Sequence, residues 1–218
     1  MSDDRDLQRA VTLTVLARAE GHGFVLAGSG AIREHGIVER LTHDVDLFTN
    51  RYDAVAFSAA VDEASGALTD VGYRVVERRR ADFFAHLTVF ASDGRSTDVD
   101  FGYDWRGREP ARMEVGPVLA ADDAVASKAD ALYTRLEARD FVDRDAIRTS
   151  GRYTDEQILL LVADRDEGFE RGTFAQQLQQ VARIPDSRFA EYELDPSAIA
   201  GLRDRAVRWA AELAAAAG

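Results

Sequence analysis

The sequence predicts an α/β (α+β) chain: a mixed, twisted sheet flanked by helices over residues 1–116, then a helical region over residues 117–218. Three observations predict it. Short apolar or alternating segments recur between helical patterns up to about residue 115, as in layered sheet–helix folds. Asp93-Gly94 lies between two alternating runs, the signal of a hairpin. After Pro117 the alternation stops and a helical period takes over. With 218 residues, 46% of them hydrophobic and 9% aromatic, the chain is long enough to bury a sizeable core.

Each element has its own warrant. A polar start and apolar periodicity predict a helix over residues 4–20, with Leu7, Val11, Leu13, Val15 and Leu16 on its inner face. Residues 24–27 form a short buried strand that ends at Gly28-Ser29-Gly30, and a helix over 31–35 follows, closed by Gly36. Residues 43–48 alternate polar and apolar, a half-buried strand. A helix over 52–68 leads to strands over 73–80, 83–91 and 96–103, the last two joined by Ser92-Asp93-Gly94-Arg95. Beyond these lie helices over 124–148, with at most one break, 155–163, 174–182 and 196–217. The alanine-rich end favours helix by composition alone.

Composition removes several classes of function. Cysteine is absent, which excludes a disulfide scaffold, a thiolate nucleophile and cysteine-liganded metal sites. A net charge of −12 argues against a non-specific DNA coat, because polyanions bind basic surfaces. The acidic opening Met1-Ser2-Asp3-Asp4 is no signal peptide, and no apolar run approaches ~20 residues, so a cytoplasmic protein without a membrane partner is expected. Of 27 basic residues only Lys128 is a lysine.

Chemistry concentrates in two places. On a strand, Asp44 and Asp46 point to the same side, while Val45 and Leu47 point to the other. Two adjacent carboxylates repel unless a cation lies between them, and Mg2+, with Mn2+ as a substitute, takes such oxygen ligands together with phosphates. Gly28-Ser29 stands where a strand turns into a helix, a position whose backbone N–H groups can hold phosphate. The bland alternative for Asp44 and Asp46 is a polar outer face.

The run Val25-Leu26-Ala27-Gly28-Ser29-Gly30-Ala31, His35-Gly36 and Arg40-Leu41-Thr42-His43-Asp44-Val45-Asp46-Leu47-Phe48 resembles the entry motif of the AbiEii-type nucleotidyltransferases, which include the MenT-like toxins. That family is a branch of the DNA polymerase β nucleotidyltransferase superfamily. Lys128-Ala129-Asp130-Ala131-Leu132, Arg135 and Arg139-Asp140-Phe141-Val142-Asp143 are similar to its second signature. If residues 124–148 form one unbroken helix, Lys128, Arg135 and Arg139 fall within ~20° of a line and Asp143 lies ~60° away.

The resemblance implies a nucleotidyltransferase core over 1–116, with the C-terminal region completing the cleft. It implies Mg2+-dependent transfer of a nucleoside monophosphate from an NTP, CTP or another pyrimidine nucleotide, to the 3′ end of tRNA. The toxin would be countered by an antitoxin protein. Asp44 and Asp46 would bind the metal, and Gly28, Ser29, Arg40, Lys128, Arg135 and Arg139 the nucleotide. Lys128 would act on the leaving pyrophosphate and Asp143 would orient the basic groups. The superfamily supplies a third carboxylate as ligand and general base, for which Asp98 and Asp100 both qualify; Asp100 fits the family pattern better. Arg33, Arg40 and Arg78-Arg79-Arg80 are candidate RNA contacts, although charges on a strand edge also deter aggregation. His22, His35, His43 and His86 lack zinc spacing, and Tyr103 and Trp105 pack by default. Two other classes share these motifs: a small-molecule nucleotidyltransferase of the antibiotic-modifying kind, and an inactive regulatory domain.

Overall fold

The computed structural model describes residues 2–38, 42 and 44–216, and the chain divides into two compact units. The first comprises Met1–His35 with Leu41–Ala121; the second comprises Gly36–Arg40 with Asp122–Gly218.

The first unit runs α1 (Ser2–Ala19), a 3-10 turn (Glu20–His22), β1 (Val25–Leu26), α2 (Gly28–Glu34), β2 (Asp44–Thr49) and α3 (Ala54–Asp70). Strands β3 (Arg74–Ala81), β4 (Phe84–Phe90), β5 (Ser96–Tyr103), β6 (Ala111–Met113) and β7 (Gly116–Val118) follow. They form one mixed sheet in the order β3-β4-β5-β2-β1-β7-β6, with β2 parallel to β5 and β1 parallel to β7. The β6–β7 pair was not expected from the sequence, since three-residue strands holding Gly116 and Pro117 are too short to show a period.

Burial follows the alternation. On β2, Val45, Leu47 and Thr49 are buried while Asp44, Asp46 and Phe48 are half-buried. The buried face packs with Val99 and Phe101 of β5, Leu87 and Val89 of β4, and the apolar sides of α1 and α3. Phe24 anchors this layer, its ring 5.3 Å from Phe57 and 5.4 Å from Phe101 between centroids. Leu7, Val11, Val15 and Leu16 are buried as expected, but Leu13 is 42% exposed: two residues from Val11 and from Val15, it stands ~160° around the helix from each. Helix α3 starts at Ala54 because the Asp53 carboxylate accepts from the N–H groups of Val55 and Ala56.

The second unit is helical: α4 (Ala121–Thr134), α5 (Ala138–Thr149), α6 (Asp155–Arg165), α7 (Arg171–Gln179), a 3-10 turn (Gln180–Arg183), α8 (Asp186–Ala190) and α9 (Pro196–Ala216). The helix expected over 124–148 is interrupted at Arg135-Leu136-Glu137. Leu136 takes a φ of 60°, and a reciprocal Glu137–Asp140 capping box opens α5. Phe141, Phe174, Leu178, Phe189 and Trp209 fill the core. Among them lies Arg144, wholly buried, its guanidinium 5.2 Å from the Trp209 ring centroid. None of its three guanidinium nitrogens has a hydrogen-bond partner among the described residues, and burial pushes its pKa down to about 10.

Candidate active site

Parallel pairing of β2 with β5 sets Asp44 beside Asp98 and Asp46 beside Asp100. One carboxylate oxygen from each of Asp44, Asp46 and Asp100 lies within 4.8 Å of the others. Asp98 stays out of this group and accepts instead from Thr88 Oγ1 on β4, at 2.8 Å. Of the two acids left open by the sequence, the structure brings Asp100 to the pair.

Asp100 has a neighbour that sequence reasoning passed over. His86 of β4 stands opposite it in register, with Nδ1 2.6 Å from Asp100 Oδ1. The search for zinc spacing missed it; the strand alternation, which puts His86 and Thr88 on the polar face, contained the signal. Gln8 is a second residue that was missed. Buried on α1, it donates from Nε2 to the Thr42 carbonyl and accepts from Thr42 Oγ1 at 3.0 Å, which ties the segment entering β2 to the helix. Arg33, a candidate RNA contact, belongs to this group too, its Nη1 3.4 Å from Thr42 Oγ1 and 3.5 Å from Gln8 Oε1.

The Gly28 position is dictated by Asp46. Gly28 has a φ of +54°, and a Cβ built there would lie 1.7 Å from Asp46 Oδ2 and 2.5 Å from its Cγ. No side chain fits between helix and carboxylate. The Ala27 N–H donates to the Asp46 carbonyl at 2.8 Å, which holds the strand end against the pair. Helix α2 begins at Gly28, not at residue 31 as expected, so Gly28 and Ser29 form its first turn, where N–H groups lack intrahelical acceptors. Ser29 is buried.

In the second unit Lys128 and Asp143 form a buried pair, Nζ to Oδ2 2.9 Å. The cationic stripe expected on one helix does not form, because the break at Leu136 leaves Lys128 on α4 and Arg135, whose N–H bonds the Ala131 carbonyl, at its end, and puts Arg139 on α5. Arg135 bonds Asp140 through Nη2 at 2.5 Å, and Arg139 pairs with Glu137 at 2.9 Å. Arg40 and His43 lie outside the described residues.

The donor set fits a divalent hard cation. Among the described residues it offers only carboxylate oxygens, the ligands of Mg2+ and Mn2+. Neighbouring ligand oxygens around an octahedral Mg2+ are ~2.9 Å apart, so the three side chains would draw together by a rotamer adjustment of about 1 Å each to close on an ion.

A mixed sheet that presents acids from two adjacent parallel strands, next to a helix opened by glycine, accords with the nucleotidyltransferase that the sequence resemblance implies. The chain belongs to the AbiEii family, whose model, described as the nucleotidyl transferase AbiEii toxin of a type IV toxin–antitoxin system, matches residues 14–217. Among solved structures it is similar to the nucleotidyltransferase toxin MenT4 of Mycobacterium tuberculosis, with a TM-score of 0.64 and 18% identity over 97% of this chain and 84% of that one. It is also similar to JHP933 of Helicobacter pylori, with a TM-score of 0.55 and 15% identity over 97% and 93% of the two chains. No curated protein matches the sequence. Family membership implies a nucleotide substrate and an antitoxin partner. No helix among the described residues is long and apolar enough to cross a membrane.

Proposed function

We propose that the protein transfers a nucleoside monophosphate from an NTP to the 3′-terminal hydroxyl of tRNA in a Mg2+-dependent reaction, acting as the toxin of its pair. The observation that carries this reading is the three-carboxylate group of Asp44, Asp46 and Asp100 beside Gly28. When bound, the ion would polarise the α-phosphate and lower the pKa of the attacking hydroxyl.

The chain's own residues supply the rest. Asp44, Asp46 and Asp100 hold the ion, while the first-turn N–H groups of Gly28 and Ser29 take the β- and γ-phosphates. Asp100 receives the proton of the hydroxyl as the new oxygen–phosphorus bond forms. The α–β phosphoanhydride bond breaks and pyrophosphate leaves, its charge met by Lys128, which Asp143 holds in place. Arg135 and Arg139 keep a supporting role in nucleotide binding, each through the acid that fixes it. A pyrimidine nucleotide, CTP in particular, is the preferred donor on family grounds.

Incubation with each labelled NTP, Mg2+ and either total RNA or a panel of small hydroxyl compounds tests the proposal. Label on tRNA supports it. Label on a small molecule alone would replace the acceptor and leave the metal site standing, and label on neither would point to an inactive domain.

A further inference from the structure

The polar face of the first unit's sheet continues past the carboxylates into an aromatic and cationic surface that the chemistry above does not use. β4 sets Phe84, His86, Thr88 and Phe90 on this face, opposite Gly102, Asp100, Asp98 and Ser96. β3 adds arginines. Arg74 is paired with Phe90 and holds its guanidinium 3.8 Å from that ring centroid; Arg79 is paired with His86 and lies 5.4 Å from the Phe84 centroid. A register shift between Glu77 and Arg79 turns Arg78 to the same side, where its Nε donates to Thr88 Oγ1 at 3.1 Å.

The shift also divides the basic run that the sequence suggested as one patch. Arg80 points to the opposite face and is neutralised there by Asp62 and Glu77, each at 2.7 Å. Arg74, Arg78 and Arg79 are exposed, and none of them forms an ion pair with a described residue. In a chain of net charge −12, three unneutralised arginines gathered on one face amount to a local cationic field. Two of them lie over half-buried phenylalanines, an arrangement that suits stacked bases with phosphates at the guanidinium edges.

We infer that this face is the track for the single-stranded 3′ end of the RNA acceptor. Bases stack on the Phe84–Arg79 and Phe90–Arg74 pairs, Arg78 meets the backbone, and the terminal hydroxyl arrives at Asp100, the cross-strand neighbour of His86. The inference rests on the proposed RNA acceptor and deepens it. β3 is an edge strand, so its arginines also deter edge-to-edge pairing; that role alone requires neither the phenylalanines nor any RNA affinity.

Two variants of the full chain test it: the triple Arg74→Gln/Arg78→Gln/Arg79→Gln, and Phe84→Leu/Phe90→Leu, which keeps apolar volume but removes the ring planes. Binding of a fluorescent single-stranded RNA and of its duplex is followed across salt concentrations, with KM for RNA and NTP and a thermal melt alongside. The expected result is a preference for the single strand. The triple variant should lower the log–log salt slope by about 2 and weaken RNA binding more than about tenfold. The leucine pair should weaken binding by about fivefold or more with little change in slope. KM for NTP should stay within about twofold in both. RNA labelling with unchanged RNA KM and salt slope in both folded variants overturns this inference alone, whereas a wild-type enzyme that labels no RNA overturns the acceptor assignment beneath it.

Discussion

Replacing Gly28 with alanine should damage stability and the carboxylate group together, because one methyl group attacks both. At a φ of +54° a non-glycine residue costs about 1–2 kcal/mol. The added Cβ would also stand 1.7 Å from Asp46 Oδ2 and 2.8 Å from Asp46 Cβ, so strand and helix must part or the carboxylate must swing away; overpacking of this kind costs about 1–3 kcal/mol. The sum, about 2–5 kcal/mol, corresponds to a Tm lower by roughly 5–15 °C in a chain of this size. Mn2+ binding, followed calorimetrically, and nucleotide incorporation should both fall by about a hundredfold or more, since Asp46 is the group displaced. A second substitution separates the two terms. In an Asp46→Gly background the clash is gone, so Gly28→Ala should cost only the backbone part, about 1–2 kcal/mol. A Gly28→Ala protein that melts within about 2 °C of wild type and binds Mn2+ with unchanged affinity would refute the reasoning.

Three further outcomes are expected. Lys128→Met takes the paired ammonium away from the buried Asp143 carboxylate and should lose about 3–5 kcal/mol in chemical denaturation; Lys128→Arg keeps the charge and more of the stability, yet should slow turnover at least about tenfold, because a planar guanidinium cannot replace a compact ammonium. His86→Ala removes the ring that touches Asp100 and should weaken Mn2+ binding about 10–100-fold in a calorimetric titration, with His86→Asn, which keeps a donor, recovering part of it. Arg144→Met removes an unpaired buried charge for a side chain of similar reach and should raise stability by about 1–4 kcal/mol near neutral pH. The sign follows from its depressed pKa: the penalty is fully present below about pH 10 and is relieved as pH rises from there, so a melt near neutral pH that falls would contradict it.

What was legible in the sequence was whatever repeats at a fixed period or occurs in one compact run. The alternation of Asp44, Val45, Asp46 and Leu47 is the clearest case, since a strand must put the two acids on one face. Cross-strand facts were not legible. Whether Asp98 or Asp100 joins the pair depends on the partnership of Thr88 with Asp98 and of His86 with Asp100, which only the register of β4 on β5 reveals. The cationic stripe failed because a capping box can stop a helix inside a helix-favouring run: Asp140 folds back to Glu137, and the chain leaves the helical path at Leu136, between Arg135 and Arg139. The Arg78-Arg79-Arg80 run failed as one patch for a related reason, since a bulge is invisible to a period of two. The strictness of Gly28 came only from space, from how closely the Asp46 carboxylate approaches it.

The central claim is that Asp44, Asp46 and Asp100 form one metal-dependent transfer centre. Incorporation of labelled NTP into RNA, measured as Mg2+ is removed by EDTA and restored, for wild type beside Asp44→Asn and Asp46→Asn, tests it most directly. The account predicts wild-type labelling that vanishes with the metal and returns with it, and no labelling in either folded variant at any Mg2+ concentration. Labelling that persists in EDTA, or at wild-type rate in both asparagine variants, would contradict it.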